Sequence, residues 1–417
     1  MNVLIKSATI VDVSSKHHLK KRDLLLTDGK IEKIASQIPN PDQRPEISLE
    51  NLHLSSGWFD SSVCLGEPGF EERETIQNGL KTAALSGFTA VAVNPNTQPV
   101  IDSQADIQFL LSKAHGNPVS VYPIGAMTQQ GNGVDLAELY DMKKAGAVAF
   151  YDYQKPVQNP LLLKLALQYT RNFNGLIITF CNDKQIAGNG VVHEEMTSTK
   201  LGLKGIPALA EELHINRNLY LLDYTEGKLH IPTISTEKSI QLIEEAKAKG
   251  LNVSCSVSIN NLILTDEKLY EFDTRYKILP PLRTPEVNKK LIKALQEGII
   301  DGVTSDHNPI DIEHKRVEFD HALYGSIGLE SIFGALRNHF STVETVDILT
   351  RLKGRFSVKH HPINEGETAD LTLFNPDKEW IFTEAEIYSS SKNAAMLGEK
   401  LTGKAYGIYA NGILKID

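Results

Sequence analysis

Cysteine is scarce in this chain: Cys64, Cys181 and Cys255 are the only three in 417 residues. Odd in number and far apart, they exclude a disulfide framework and favour a reducing cytoplasm. Each is expected to be a small buried hydrophobe. Long apolar runs are also missing. No stretch approaches the ~20 apolar residues of a membrane helix, and the opening MNVLIKSATIVDVSS alternates like a strand, with no apolar leader and cleavage site. Neither export nor membrane insertion is expected. Positive charge is in deficit, with 43 Lys and Arg against 52 Asp and Glu and a net charge of -9. That balance gives no phosphate-binding surface, and no nucleic-acid partner is expected. Tandem repeats and low-complexity tracts are absent, which excludes a solenoid and a long linker.

What is present has two characters. The first fifty residues read as β hairpins: NVLIKSATIVDV, then RDLLLTDGKIEKIA with a tight turn at Asp28-Gly29. The last fifty read alike, in ADLTLFNPDKEWIF and AYGIYANGILKI, the latter turning at Asn411-Gly412. Between them short apolar runs (FTAVAV, VSVYPI, AVAFYD, GLIITF, KLHIPTI, NVSCSV, IIDGVTSD) alternate with segments of three-to-four apolar spacing, several ending in Gly. With the strand before DSSVC this makes eight βα units. The expected fold is therefore α/β, a (β/α)8 TIM-type barrel over residues 55–363, with a small discontinuous β-sandwich domain from residues 1–54 plus 364–417.

Barrel enzymes carry their reacting groups at the C-terminal ends of the strands. Here those ends are Ser62 and Cys64, Asn94 to Thr97, Asp152, Phe180, Thr233 and Asp306-His307. Around them stand GEPGFEERETIQNGLKTAALSGFTAVAVNPNTQPVID, AVAFYDYQKPVQN, LGLKGIPALAEE, LHIPTISTEKS, KILPPLRTPE, TSDHNP and YGSIGLES. In order and spacing these segments closely resemble dihydroorotase of the type found in bacteria and in multifunctional pyrimidine-synthesis proteins. The hydantoinase and dihydropyrimidinase branch fits less well at NPNTQP and PPLR.

The resemblance implies a zinc site with histidines at the places of Ser62, Cys64, Phe180 and Thr233, and an aspartate at the place of Asp152. It also implies a proton-shuttling aspartate at the place of Asp306. None of the four histidines is present; both aspartates are. The positions implied to hold substrate read Gly66 for an arginine, Leu279 for an asparagine and Ile310 for a histidine, with Asn96 retained as a substrate-binding remnant. No metal and no cofactor are therefore expected. The reading is a dihydroorotase-like protein of pyrimidine synthesis without catalysis, serving as structural or regulatory partner of aspartate carbamoyltransferase. A homodimer or mixed assembly is the implied state.

Two other readings stand beside it. One is an active cyclic amidohydrolase with an atypical site drawn from Cys64, Asp152 and Asp306. The other is a small-molecule sensor using Asn96 and Arg283, or an assembly protein. Among the histidines, His230 is expected to be packed and His307 to make a structural hydrogen bond, whereas His193 and the pair His360-His361 are expected at the surface. One of the two carboxylates is expected to find a basic partner such as Lys155 or His307, to bind water or to be protonated, and Phe180 is expected to fill the space of a metal and its ligand.

Overall fold

The computed structural model describes residues 2–417. Eight parallel strands form one sheet in chain order: Trp58–Val63, Phe88–Val93, Ser120–Gly125, Ala149–Phe150, Leu176–Ile178, Leu229–Ile231, Val253–Ser258 and Gly302–Thr304. The ends meet, since Val63 bridges to His307 in parallel and Asp60 joins the first strand to the last. Asp60 is wholly buried and accepts from the Ser62 and Ser305 amides (2.9 and 2.8 Å) and the Thr304 hydroxyl. Burial pushes its carboxyl above the ordinary range, and these donors pull it back.

The sequence-level helix pattern is realised segment by segment, with local chemistry setting each start. Helix Gln104–Ala114 begins in a capping box between Ser103 and Asp106. Asn159 caps Pro160–Arg171, which has proline in its first turn, and Thr236 caps Glu237–Ala248. Each packs its apolar stripe onto the outside of the barrel, where Leu110, Leu163 and Ile243 join one continuous core.

The residues of both termini share one mixed sheet, in which His53–Ser56 pairs with Leu371–Ile381 on one side and with Val3–Ile10 on the other. Its two tight turns are those expected. Asp28-Gly29 has φ of 48° and 75°, and Asn411-Gly412 has 51° and 74°, consecutive left-handed residues of the kind that close two-residue hairpins. The sheet joins the barrel at Gly57, where a Cβ would lie 2.0 Å from the Thr89 hydroxyl, so only glycine fits that corner. Beside it Trp58 stacks on Phe333 with centroids 4.5 Å apart and donates from Nε1 to the Ser55 hydroxyl at 2.9 Å.

A separate apolar cluster fills the inside of the barrel. Phe59, Ile124, Ile178, Phe356 and Leu352 pack in it together with Cys64, Tyr151, Tyr153 and Phe180 from the strand ends.

Candidate functional site

Each of the strand-end residues expected at the barrel mouth is found there, but the two carboxylates are held by different partners. Asp152, 4% exposed, accepts from the Met127 and Thr128 amides at 2.9 and 3.0 Å and from the Thr128 hydroxyl at 2.6 Å. Its partners thus belong to the loop after the third strand. Burial raises its pKa; the Thr128 and Met127 bonds, and more weakly the charge of Lys155, oppose that rise.

Asp306 stays partly accessible. The Ser62 hydroxyl donates to its Oδ1 at 2.9 Å, the Tyr153 hydroxyl donates to the same oxygen at 3.2 Å, and the Gln154 amide reaches Oδ2 at 3.3 Å. Its pKa is pushed up to about 7, chiefly by burial, with the charge of Asp60 adding to the rise and the Ser62, Tyr153 and Gln154 bonds opposing it. Asn94 completes the group by donating to the Ser62 hydroxyl at 3.0 Å and to Cys64 Sγ at 3.5 Å. Tyr153 and Gln154 were not singled out from the sequence. Their place directly after Asp152 at a strand end was the available signal.

Cys64 is 2% exposed, and burial with the nearby Asp306 charge pushes its thiol up to about 12. Phe180 is equally buried within the interior cluster. Thr233 is buried with φ of 48°, and Asp306 has φ of 45°. For a β-branched residue this is a conformational outlier, costing roughly 1–3 kcal/mol, of the kind that collects at functional sites. Gly66 is fixed by its turn: its carbonyl accepts from the Phe70 amide at 2.8 Å, and a Cβ there would lie 2.0 Å from the Phe70 carbonyl oxygen. No side chain, and so no arginine, fits at Gly66 without moving the loop.

Leu279 packs beside the interior cluster and its carbonyl accepts from Gln154 at 3.0 Å, whereas Ile310 is buried with its amide on the Asn393 side chain at 3.1 Å. Asn96 keeps a buried carbonyl oxygen with no partner among the described residues, as does Asn94.

The histidines sort partly as expected. His230 is buried with its ring nitrogens on the Ser254 and Ser256 hydroxyls (2.8 and 3.2 Å) and its ring edge-on to Phe356. His307 Nδ1 accepts from the Gly328 amide at 3.2 Å, which is the structural role expected of it. Burial drives both down to about 3. His193 is a correction. It is not at the surface but 8% exposed, on a short strand Val192–His193 paired with Gly205–Ile206, and it accepts from Arg283 at 2.7 Å. Arg283 is not free to meet a ligand either: it is 2% exposed, donates to the Ser235 hydroxyl at 3.0 Å and pairs with Glu211 at 3.4 Å. The residues flanking His193 did not reveal this, because the partner lies 90 residues away.

The zinc implied by the resemblance can be tested against this donor set. Structural and catalytic zinc sites use imidazole, thiolate and carboxylate with at least three protein ligands. Here the six positions offer two hydroxyls, a phenyl ring, one buried thiol and two carboxylates already bonded to different partners. Among the described residues no three His, Cys, Asp or Glu side chains are grouped to hold a metal ion. The residues present do not fit zinc.

Comparison with known proteins gives a consistent family. The model of dihydro-orotase-like proteins matches residues 53–239. The dihydroorotase of Pelotomaculum thermopropionicum is 38% identical, over 99% of this chain and 98% of its own. That of Caldicellulosiruptor saccharolyticus is 37% identical, over 100% and 99%. Among solved structures, L-hydantoinase (dihydropyrimidinase) from Arthrobacter aurescens superposes with a TM-score of 0.85 at 20% identity, over 99% of this chain and 95% of its own. At that identity the likeness speaks for the fold alone: a parallel eight-stranded barrel with a mixed sheet from both termini.

Proposed function

The chain belongs to the dihydroorotase family of pyrimidine biosynthesis, and from that premise we propose that it works without turning over dihydroorotate, as a structural or regulatory partner of aspartate carbamoyltransferase. The observation that carries the loss of turnover is the mouth itself, and the partner is the one that the family resemblance implies. Ring opening or closure of a cyclic amide calls for hydroxide near neutral pH and a polarised carbonyl. A metal that lowers a water pKa from ~15.7 to ~7 supplies on the order of 12 kcal/mol at ~1.36 per unit. Asp306 acting alone as a general base would contribute ~10²- to 10⁴-fold, about 3 to 5 kcal/mol. The shortfall is several kcal/mol, and the donor set offers nothing to close it.

Further support comes from the filled interior. Phe180 and Cys64 belong to the apolar cluster, and Gly66 sits in a turn that admits no side chain. The scaffold around them keeps its order, including the left-handed Thr233 and Asp306 at the strand ends. A barrel maintained in shape while most of its ligand positions are taken by packed side chains suits a role in assembly.

The experiment has two arms. Protein purified without chelators is analysed for zinc and assayed for dihydroorotate hydrolysis and carbamoyl aspartate cyclisation, with and without added zinc. Less than about 0.1 equivalent of metal and no turnover is the expected result, and stoichiometric zinc with turnover would overturn the reading. In the second arm the chain is mixed with aspartate carbamoyltransferase from the same source and the mixture is sedimented. A stable complex is expected, and independent migration at tens of micromolar would defeat the partner assignment.

A further inference from the structure

The eight strands run parallel, so their first residues share the end of the barrel opposite the mouth. Three cations gather at that floor. Lys228 stands one residue before the sixth strand, and Lys143 lies in the last turn of helix Leu139–Ala145, which leads into the fourth. Arg355 follows the short turn Arg351–Lys353 and sits between Leu352 and Phe356, both in the interior apolar cluster. Its guanidinium ties two strand starts together: Nη2 donates to the Leu229 carbonyl at 2.6 Å and the Asn252 carbonyl at 2.9 Å, and Nη1 donates to the Asn252 side chain. Its Nε–H is buried and has no acceptor among the described residues.

We infer that this floor is a binding site for a phosphate group, gripped by the ammonium groups of Lys143 and Lys228 beside the fixed charge of Arg355. Among the described residues none of the three forms an ion pair, and neither ammonium has a hydrogen-bond partner. Only Lys143 sits where a helix terminus shares its charge. The carboxylates at the same end of the barrel are engaged elsewhere: Asp301 by Lys247 at 2.7 Å, Asp370 by Lys353 at 3.4 Å and Glu226 by Arg171 at 2.6 Å. Positive charge is therefore left over at this end of a chain whose net charge is -9. The overall balance conceals it, because folding draws the three residues from distant segments.

All three side chains are half-buried. Burial lowers the pKa of Lys143 and Lys228 and brings that of Arg355 down to about 10, and the charges of Arg355 and Lys143 lower Lys228 further. Asp301, whose charge favours Arg355, is the carboxylate already held by Lys247. Cations that are partly desolvated and repel one another raise the free energy of the fold until an anion joins them.

Chemistry narrows the anion. A lysine offers three rotatable N–H donors on a compact charge, and a phosphate dianion has enough oxygens to accept from both lysines at once. A single carboxylate would leave most of the positive charge uncompensated. A nucleic-acid backbone does not fit, since holding one takes a track of exposed cations and the remainder of this chain carries a negative excess.

The test is calorimetric titration of the full chain with inorganic phosphate and with glycerol 3-phosphate, against chloride at equal ionic strength. A single saturable site with a dissociation constant of about 1 mM or below is expected, and the better of the two ligands tells whether the phosphate is taken free or as an ester. Lys143→Met and Lys228→Met should each weaken binding at least about 10-fold. At a phosphate concentration about 100 times the dissociation constant the wild type should melt about 3 °C higher, and the double variant should not. Lys228→Met keeps the aliphatic stem and relieves like-charge repulsion, so without phosphate it should melt no lower than wild type. No saturable binding below about 10 mM, equal stabilisation of wild type and double variant by phosphate, or a Lys228→Met chain that binds as wild type does or melts lower without ligand would each overturn the proposal.

Discussion

Replacing Glu211 by alanine isolates a buried network just beyond the end of the sixth barrel strand. Glu211 accepts from the Ser235 amide at 2.8 Å, from the Ser235 hydroxyl at 2.5 Å and from the Ser239 hydroxyl at 2.7 Å, while pairing with Arg283 at 3.4 Å. The Arg283 side chain is 2% exposed. Without Glu211 its guanidinium keeps only the Ser235 and His193 bonds and loses its counter-charge. Breaking a buried pair from one side costs about 3 to 5 kcal/mol, mostly through the charge left behind. An unfolding entropy of ~2.1 cal/mol/K per residue amounts to roughly 0.9 kcal/mol/K for a chain of 417 residues. The expected drop in Tm is therefore about 3 to 6 °C. Glu211→Gln keeps most of the hydrogen bonding and removes the charge, so it should fall between wild type and Glu211→Ala. The double variant Glu211→Gln with Arg283→Met should recover stability relative to the first change alone, because no unpaired charge remains. Differential scanning calorimetry of these four proteins and of Arg283→Met alone measures all of this. Glu211→Ala melting within a degree of wild type, or strictly additive single and double changes, would refute the assignment of Arg283 as a buried structural cation.

Other outcomes follow from the same geometry. All three thiols are buried and raised to about 12, so native protein at pH 8 should show no reaction with Ellman's reagent and three equivalents after denaturation; one fast native thiol would contradict the placement of Cys64. Phe180→Ala should destabilise by about 3 to 5 kcal/mol through the cavity it leaves, read by urea unfolding, and a loss under about 1 kcal/mol would show that Phe180 does not plug the mouth. His193 and His214 are held down to about 4, and His230 and His307 to about 3. The folded chain thus binds fewer protons than the unfolded one below pH ~6.5, and stability from these groups should fall as pH drops from there toward 4. Asp306, raised to about 7, acts in the opposite sense, gaining stability as pH falls through 7, and Asp60, Asp152, Asp266 and Glu330, whose carboxyls burial also raises, add to that nearer the carboxylate range; the four strongly lowered histidines outweigh them above it. Urea midpoints across pH 7.5 to 4.5 that rise on acidification would contradict this balance.

Much of the fold could be read from residue order. The eight apolar runs fall on the eight barrel strands because a strand buried on both faces is an unbroken apolar stretch, and the helices between them follow from their spacing. Asp28-Gly29 and Asn411-Gly412 declared their hairpins through left-handed backbone preference, which is local chemistry. The strand-end positions from Ser62 to Asp306 were legible for the same reason: a strand end lies where the apolar run stops.

What only the tertiary structure decided is partnership. Sequence placed Asp152 and Asp306 at one mouth, but whether they share a site depends on which donors lie across space, and Thr128 holds one while Ser62, Tyr153 and Gln154 hold the other. His193 was expected at the surface and is buried on Arg283, 90 residues away. The impossibility of a side chain at Gly66 comes from one carbonyl oxygen of the following turn. Periodicity records burial and backbone preference, which are properties of a segment. Hydrogen bonds between loops and the direction of a carboxylate are properties of the closed barrel, and they exist only once its eight strands have brought the loops together.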